Sequence, residues 1–166
     1  MDSIFILTLF LLLVCFLALS WFAGTDAPFI PTKMHSLQSI FKRAGLKKGK
    51  NFYELGSGDG RVVLKAAATG AQAYGIEQSW LRVWFSRYQA SKLKLPNAHF
   101  FHGNIFDRSY YPADIVYIYL LPKALDKLEG KLKKELNKRS VVITQTYHFK
   151  NWQPFTKINN FYFYRV

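Results

Sequence analysis

The sequence predicts an α/β domain built around a mostly parallel sheet, and three observations carry that prediction. From residue 51 onward, short apolar runs alternate with amphipathic helical patterns, the rhythm of strands joined by helical crossovers. A glycine cluster, Glu54-Leu55-Gly56-Ser57-Gly58-Asp59-Gly60, separates the first run from the first crossover helix. A second carboxylate, Glu77, ends the next run. The chain has 166 residues, half of them hydrophobic, which suits one domain with a packed core and excludes a disordered chain.

Taken in order, Ile4 to Ala23 is a run of twenty residues without a charge, long enough to cross a bilayer core of roughly 30 Å as one helix. Residues 1–24 are therefore expected to form a membrane anchor. A cleaved signal peptide is disfavoured because no basic region precedes the run. Two prolines in 25–31 suit a short linker, and the folded domain is expected over 32–166. Thr32 is a plausible N-cap for a helix that carries Met34, Leu37, Ile40 and Phe41 on one face and ends at Gly45.

Strands are expected over 51–55, 72–77 and 98–102, with helices over 61–69 and 79–94 between them. Trp80, Trp84, Phe85 and Tyr88 recur at helical spacing and read as a core-facing stripe. Residues 114–121 read as a buried strand, and Leu125, Leu128, Leu132 and Leu136 make 123–137 an amphipathic helix. A strand over 140–147 follows. Asn159-Asn160 then joins two aromatic-rich segments, 152–158 and 161–166, into a terminal hairpin.

Charge sets expectations about surroundings. All 23 Lys and Arg residues lie at or beyond Lys33, with only eight of the ten acids. The positive-inside tendency then predicts a single-pass protein with its folded domain on the cytoplasmic or a cytoplasm-derived side. The basic surplus is expected to face anionic lipid headgroups, and nucleic acid is the disfavoured alternative. Cys15 is the one cysteine, which excludes a disulfide within the chain, and the four scattered His carry no zinc pattern, so no metal is expected.

Alternate glycines let backbone turn sharply and approach a ligand where a Cβ would collide, and Glu77 can grip a ribose diol. Together they point to an adenosine-bearing cofactor. Arg61 stands where a dinucleotide loop has its third glycine, which disfavours nicotinamide. A bare tight turn is the plainer reading of the glycines alone. The strand–helix rhythm and the spacing of the two acids favour the ligand.

The order of these pieces resembles the seven-stranded class I methyltransferases that use S-adenosylmethionine, a Rossmann-like, doubly wound sheet with an antiparallel last strand. The run from Phe52 to Ala67, the later Ser86-Arg87-Tyr88, and Phe149 with Trp152-Gln153-Pro154 are similar to one subfamily, the membrane-anchored protein lysine methyltransferases. Its known members modify the ATP synthase c-subunit and the adenine nucleotide translocase. The resemblance implies that Glu54 faces the methionine ammonium, that Gly56, Ser57, Gly58 and Gly60 shape the adjacent loop, and that Glu77, followed by Gln78, takes the ribose hydroxyls. Family members place an Asp at the adenine; here Asn104-Ile105 stands, with Asp107 as a nearby substitute.

Methyl transfer from a sulfonium is an in-line displacement that needs alignment and an uncharged acceptor lone pair. A lysine acceptor must lose its proton, which an apolar aromatic pocket promotes. Tyr117 and Tyr119, two apart ahead of Pro122, are the candidates for that pocket; packing beneath a helix is their alternative role. The expected partner is a protein at or in a membrane. An RNA or small-molecule methyltransferase is the rival, weakened for amino-adenine because Leu120-Leu121-Pro122-Lys123 replaces the Asp/Asn-Pro-Pro-Tyr/Phe motif of such enzymes. A non-catalytic adaptor would have no use for both buried acids.

Overall fold

The computed structural model describes residues 2–22, 32 and 34–166. Helix α1 (Asp2–Phe22) comes first, and a 3-10 turn (Met34–Ser36) leads into α2 (Leu37–Ala44). Then follow β1 (Asn51–Leu55), α3 (Arg61–Ala67), β2 (Gln72–Glu77), α4 (Trp80–Lys92) and β3 (Ala98–His102). The second half contains β4 (Ile115–Ile118), α5 (Pro122–Glu135), β5 (Val141–Gln145), β6 (Thr156–Ile158) and β7 (Phe161–Arg165).

All seven strands form one sheet in the order β3-β2-β1-β4-β5-β7-β6. β1 to β5 are parallel, and β7 runs antiparallel to both β5 and β6. The chain order reverses between β1 and β4. At such a switch point the crossovers leave to opposite sides, opening a crevice beyond the carboxyl ends of the strands. β4 and β5 are buried along their whole length, which is why they read as continuous apolar runs.

Each face of the sheet has its own core. Leu37, Ile40 and Phe41 of α2, Val62 and Val63 of α3, and Val83 of α4 pack with Phe52, Tyr117, Ile143 and Phe163 on one side. Leu125, Leu128 and Leu132 of α5 pack with Val116, Ile118, Val142 and Tyr164 on the other. The terminal hairpin forms as expected, with Ile158 opposite Phe161 across the turn.

The structure corrects the membrane anchor, the placement drawn from it and the cap expected at Thr32. Side chains of α1 are described from Ser3 to Leu19, roughly 25 Å of helix, and its large apolar residues there are exposed. Among the described residues no helix is long and apolar enough to cross a membrane, which overturns the single-pass anchor and the cytoplasm-side placement drawn from it. The linker expected over 25–31 lies outside the described residues. Thr32 caps no helix: α2 begins at Leu37 after the 3-10 turn, and Thr32 is buried with its hydroxyl on Gln145.

The aromatic stripe of α4 also turns outward. Trp80, Trp84 and Tyr88 are exposed, Trp84 by 66%, while the buried side of the helix carries Arg82, Val83, Ser86 and Ala90. Small residues face in because α4 lies close over the glycine loop. A Cβ built at Gly60 would stand 2.6 Å from Ser86 Oγ and 2.7 Å from Phe100 Cε1.

Candidate active site

The loop after β1 is held by backbone. The Gly56 and Ser57 amides both donate to the Ile76 carbonyl at 2.9 and 3.0 Å, so the loop bends across the end of β2. Gly56 has φ +78° and Gly60 has φ +80°, the left-handed region in which a side chain is strained. Asp59 accepts from the Arg61 amide at 3.3 Å and pairs with its guanidinium, closing the turn into α3.

Glu54 and Glu77 flank this loop in different electrostatic settings. Glu54 is 4% exposed, and its Oε2 has no hydrogen-bond partner among the described residues. Burial first, and then the nearby Asp59, hold its carboxyl well above the usual carboxylate range. Glu77 is satisfied by its own chain. Its Oε2 accepts from the Gly58 amide at 2.9 Å and its Oε1 from the Ser79 amide at 3.0 Å, with Arg82 Nη1 3.7 Å away. The acid at the end of β2 is thereby tied to the glycine loop.

Sequence reasoning did not single out Arg82. Its signal was a charge on the inward side of α4, hidden by the apolar stripe beside it. Gln78 is exposed at the start of the next loop. On the third loop, Asn104 Oδ1 accepts from the Phe106 amide at 3.1 Å, so one of its lone pairs is engaged by its own turn. Ile105 is buried, its carbonyl taking the Tyr110 hydroxyl at 2.6 Å, and Asp107 is exposed.

On the far side of the switch point, β4 ends at Ile118, so Tyr119 lies just past the strand and is half-buried against the same core as Tyr117. Pro122 opens α5 rather than closing a strand, a position where its missing N–H costs nothing. Tyr117 is 0% exposed and packs beside Phe52 and Phe161. Its hydroxyl donates to Gln145 Oε1, and burial pushes its pKa up. Tyr117 therefore reaches the crevice only through Gln145, a residue the sequence reading left unassigned.

These residues fit a sulfonium nucleoside. An acceptor oxygen without a partner among the described residues at Glu54 suits the donors of an ammonium group, and three left-handed glycines, Gly56, Gly58 and Gly60, give the loop beside it its sharp turn. Among the described residues no cluster of His, Cys, Asp and Glu could hold a metal ion.

Comparison with known proteins agrees with the geometry. The model of the ANTKMT methyltransferase domain matches residues 54–156. The ATP synthase c-subunit lysine N-methyltransferase of Homo sapiens is 31% identical over 128 residues, covering 76% of this chain and 54% of that protein. The protein-lysine N-methyltransferase of Saccharolobus islandicus is 27% identical over 130 residues, covering 76% of this chain and 81% of that one. The crystal structure of an RNA methyltransferase from Salinibacter ruber, in complex with S-adenosyl-L-homocysteine, superposes with a TM-score of 0.75 at 29% identity. It covers 82% of this chain and 92% of that one. The chain spans about half the length of the animal relatives it matches. S-adenosylmethionine is the cofactor of this chain. With the domain matched across most of the sheet and the two acids at the ends of β1 and β2, the chain belongs to the ANTKMT methyltransferase family.

Proposed function

We propose that this chain methylates the side-chain amine of lysine in a protein substrate. The observation that carries the reading is the buried Glu54 carboxylate, whose Oε2 has no hydrogen-bond partner among the described residues, beside a glycine loop that Glu77 ties down. Relatives named as lysine N-methyltransferases support lysine as the acceptor.

Bound in this site, the cofactor supplies an electrophilic methyl on a positively charged sulfur. Glu54 would take the ammonium of its methionine end and Glu77 its ribose hydroxyls, while Gly56, Ser57 and Gly58 form the loop that borders it and Gly60 seats that loop beneath α4. Gln78, Asn104 and Ile105 border the adenine, with the second lone pair of Asn104 Oδ1 open to its amino group. Tyr119 and the turn at Pro122 form the acceptor side. There a half-buried aromatic disfavours a charged ammonium and so favours the neutral amine that can attack. The chain need supply no covalent nucleophile, only alignment.

A substrate held in a membrane is the finer reading. Relatives named for the ATP synthase c-subunit and the adenine nucleotide translocase support it. Purified chain, incubated with labelled S-adenosylmethionine and separately with membrane protein, soluble protein and total RNA, tests both levels. Label is expected on a membrane protein, mapped by mass spectrometry to lysine and lost with Glu54→Gln. Label on RNA alone, or on no macromolecule while the cofactor binds, would remove the lysine reading.

A further inference from the structure

We propose that Gln145 binds the carboxylate of the cofactor's amino-acid end, opposite Glu54, with Tyr117 and Thr32 as positioning residues that fix its carboxamide. The inference rests on the cofactor reading above and extends it to a residue on β5.

Three polar side chains stand in a row on one face of the sheet. Glu54 of β1 is paired with Tyr117 of β4, Tyr117 is paired with Ile143 of β5, and Gln145 lies two residues beyond Ile143. All three therefore point to the same side, near the carboxyl ends of adjacent strands. Below them that face is apolar, built from Phe52, Ile115, Val141 and Ile143. Gln145 is 6% exposed, a depth at which an amide needs hydrogen bonds. Its Oε1 has two: the Tyr117 hydroxyl donates to it, and so does the Thr32 hydroxyl at 3.3 Å. With the oxygen engaged, Nε2 is the outward donor end, and it has no hydrogen-bond partner among the described residues.

The row thus ends in a buried acceptor without a donor at Glu54 Oε2 and, at Gln145 Nε2, in a donor that is not fully buried and meets no acceptor among the described residues. An α-amino acid group is the complementary object, an ammonium beside a carboxylate. Its size also fits. β1 and β5 are separated by β4, two strand spacings or roughly 9.5 Å, and Gln145 stands two residues, roughly 6.7 Å, farther along its strand than Glu54. Their backbones therefore lie roughly 11.6 Å apart, and the two long side chains close the difference by leaning toward each other. An amino-acid head about 3 Å across, with a hydrogen bond of about 2.9 Å on each side, spans roughly 9 Å. A neutral donor is the right choice on β5. A Lys or Arg there would pair with the buried Glu54 and close the gap the ligand must fill.

Calorimetry of the full chain with two probes tests this: S-adenosylhomocysteine, and 5′-methylthioadenosine, which keeps the adenosine and sulfur but lacks the amino-acid head. Gln145→Glu retains the acceptor for both hydroxyls and replaces the donor with a negative charge. It should weaken S-adenosylhomocysteine by at least ~30-fold and leave methylthioadenosine within about 2-fold. Gln145→Met, neutral and similar in volume, should weaken only the first probe, by about 10-fold, and serves if the buried charge of the Glu variant prevents folding. Tyr117→Phe and Thr32→Val should show the same ligand-selective loss to a smaller degree. Equal weakening of both probes would make Gln145 a packing residue and overturn the proposal, as would unchanged affinity for both. Failure of the unsubstituted chain to bind either probe would instead defeat the cofactor reading, and this proposal with it.

Discussion

At the scale of single residues, Glu54 decides how the site responds to pH. An acid whose pKa is higher folded than unfolded keeps its proton longer in the folded chain. The folded state therefore loses stability as pH rises from the ordinary carboxylate range, about 4, through the raised value. Glu54→Gln removes that cost. The ligand-free variant should melt a few degrees higher than the parent at pH 8, roughly 2–4 °C per kcal/mol recovered, and no higher at pH 4. Binding has the opposite slope, because only the ionised carboxylate attracts an ammonium. Affinity for S-adenosylhomocysteine should tighten across the same window with proton release, visible as a buffer-dependent binding enthalpy. In the Gln variant it should be flat and at least ~10-fold weaker. An affinity independent of pH in the parent protein would show that Glu54 is not the ammonium partner.

At the scale of elements, the contact between the glycine loop and α4 is the tightest constraint described. Gly60→Ala puts a methyl group into Ser86 and Phe100 at a backbone angle alanine rarely adopts. It should cost about 2 kcal/mol or more in denaturant unfolding. Within α4, Val83→Ala should cost about 2 kcal/mol and Trp84→Ala within ~0.5 kcal/mol, since Val83 is buried and Trp84 is not. That contrast marks what the sequence could and could not say. Helical periodicity identified the helix and its ends to within two residues. It chose the wrong face because the inward positions carry Ser86 and Arg82, small or charged, and the outward ones carry tryptophan. Whereas β4, expected to run to 121, stops at Ile118 and β6, expected from 152, begins at Thr156, the ends of β1, β2 and β3 and the glycine loop were legible because turn chemistry is local. Thr32 was misread for the opposite reason: its partners, Tyr117 and Gln145, lie 85 and 113 residues away, and no local pattern announces them.

At the scale of the whole molecule, the succession of strands and helices was legible through alternation and the doubly wound sheet through resemblance, whereas the depth of the crevice was not. Nothing in the order of elements reveals that Tyr117 is sealed beneath Gln145 or that Glu77 is already held by Gly58 and Ser79. Because the crevice joins loops from both halves of the sheet, a ligand there braces the domain. S-adenosylhomocysteine at 100 times its Kd should add about 2.7 kcal/mol of stability, a rise in Tm of roughly 5–10 °C. A rise of a degree or less under those conditions would mean that the crevice is not the binding site. The reversed strand β7 has a different kind of consequence. It lies between β5 and β6 yet follows both in sequence, so during synthesis the flank of β5 stays bare until residues 161–165 have left the ribosome. A premature stop just before Phe161 would remove few residues but leave that flank open to a neighbouring chain. Such a late truncation is expected to produce insoluble material rather than a slightly shortened enzyme.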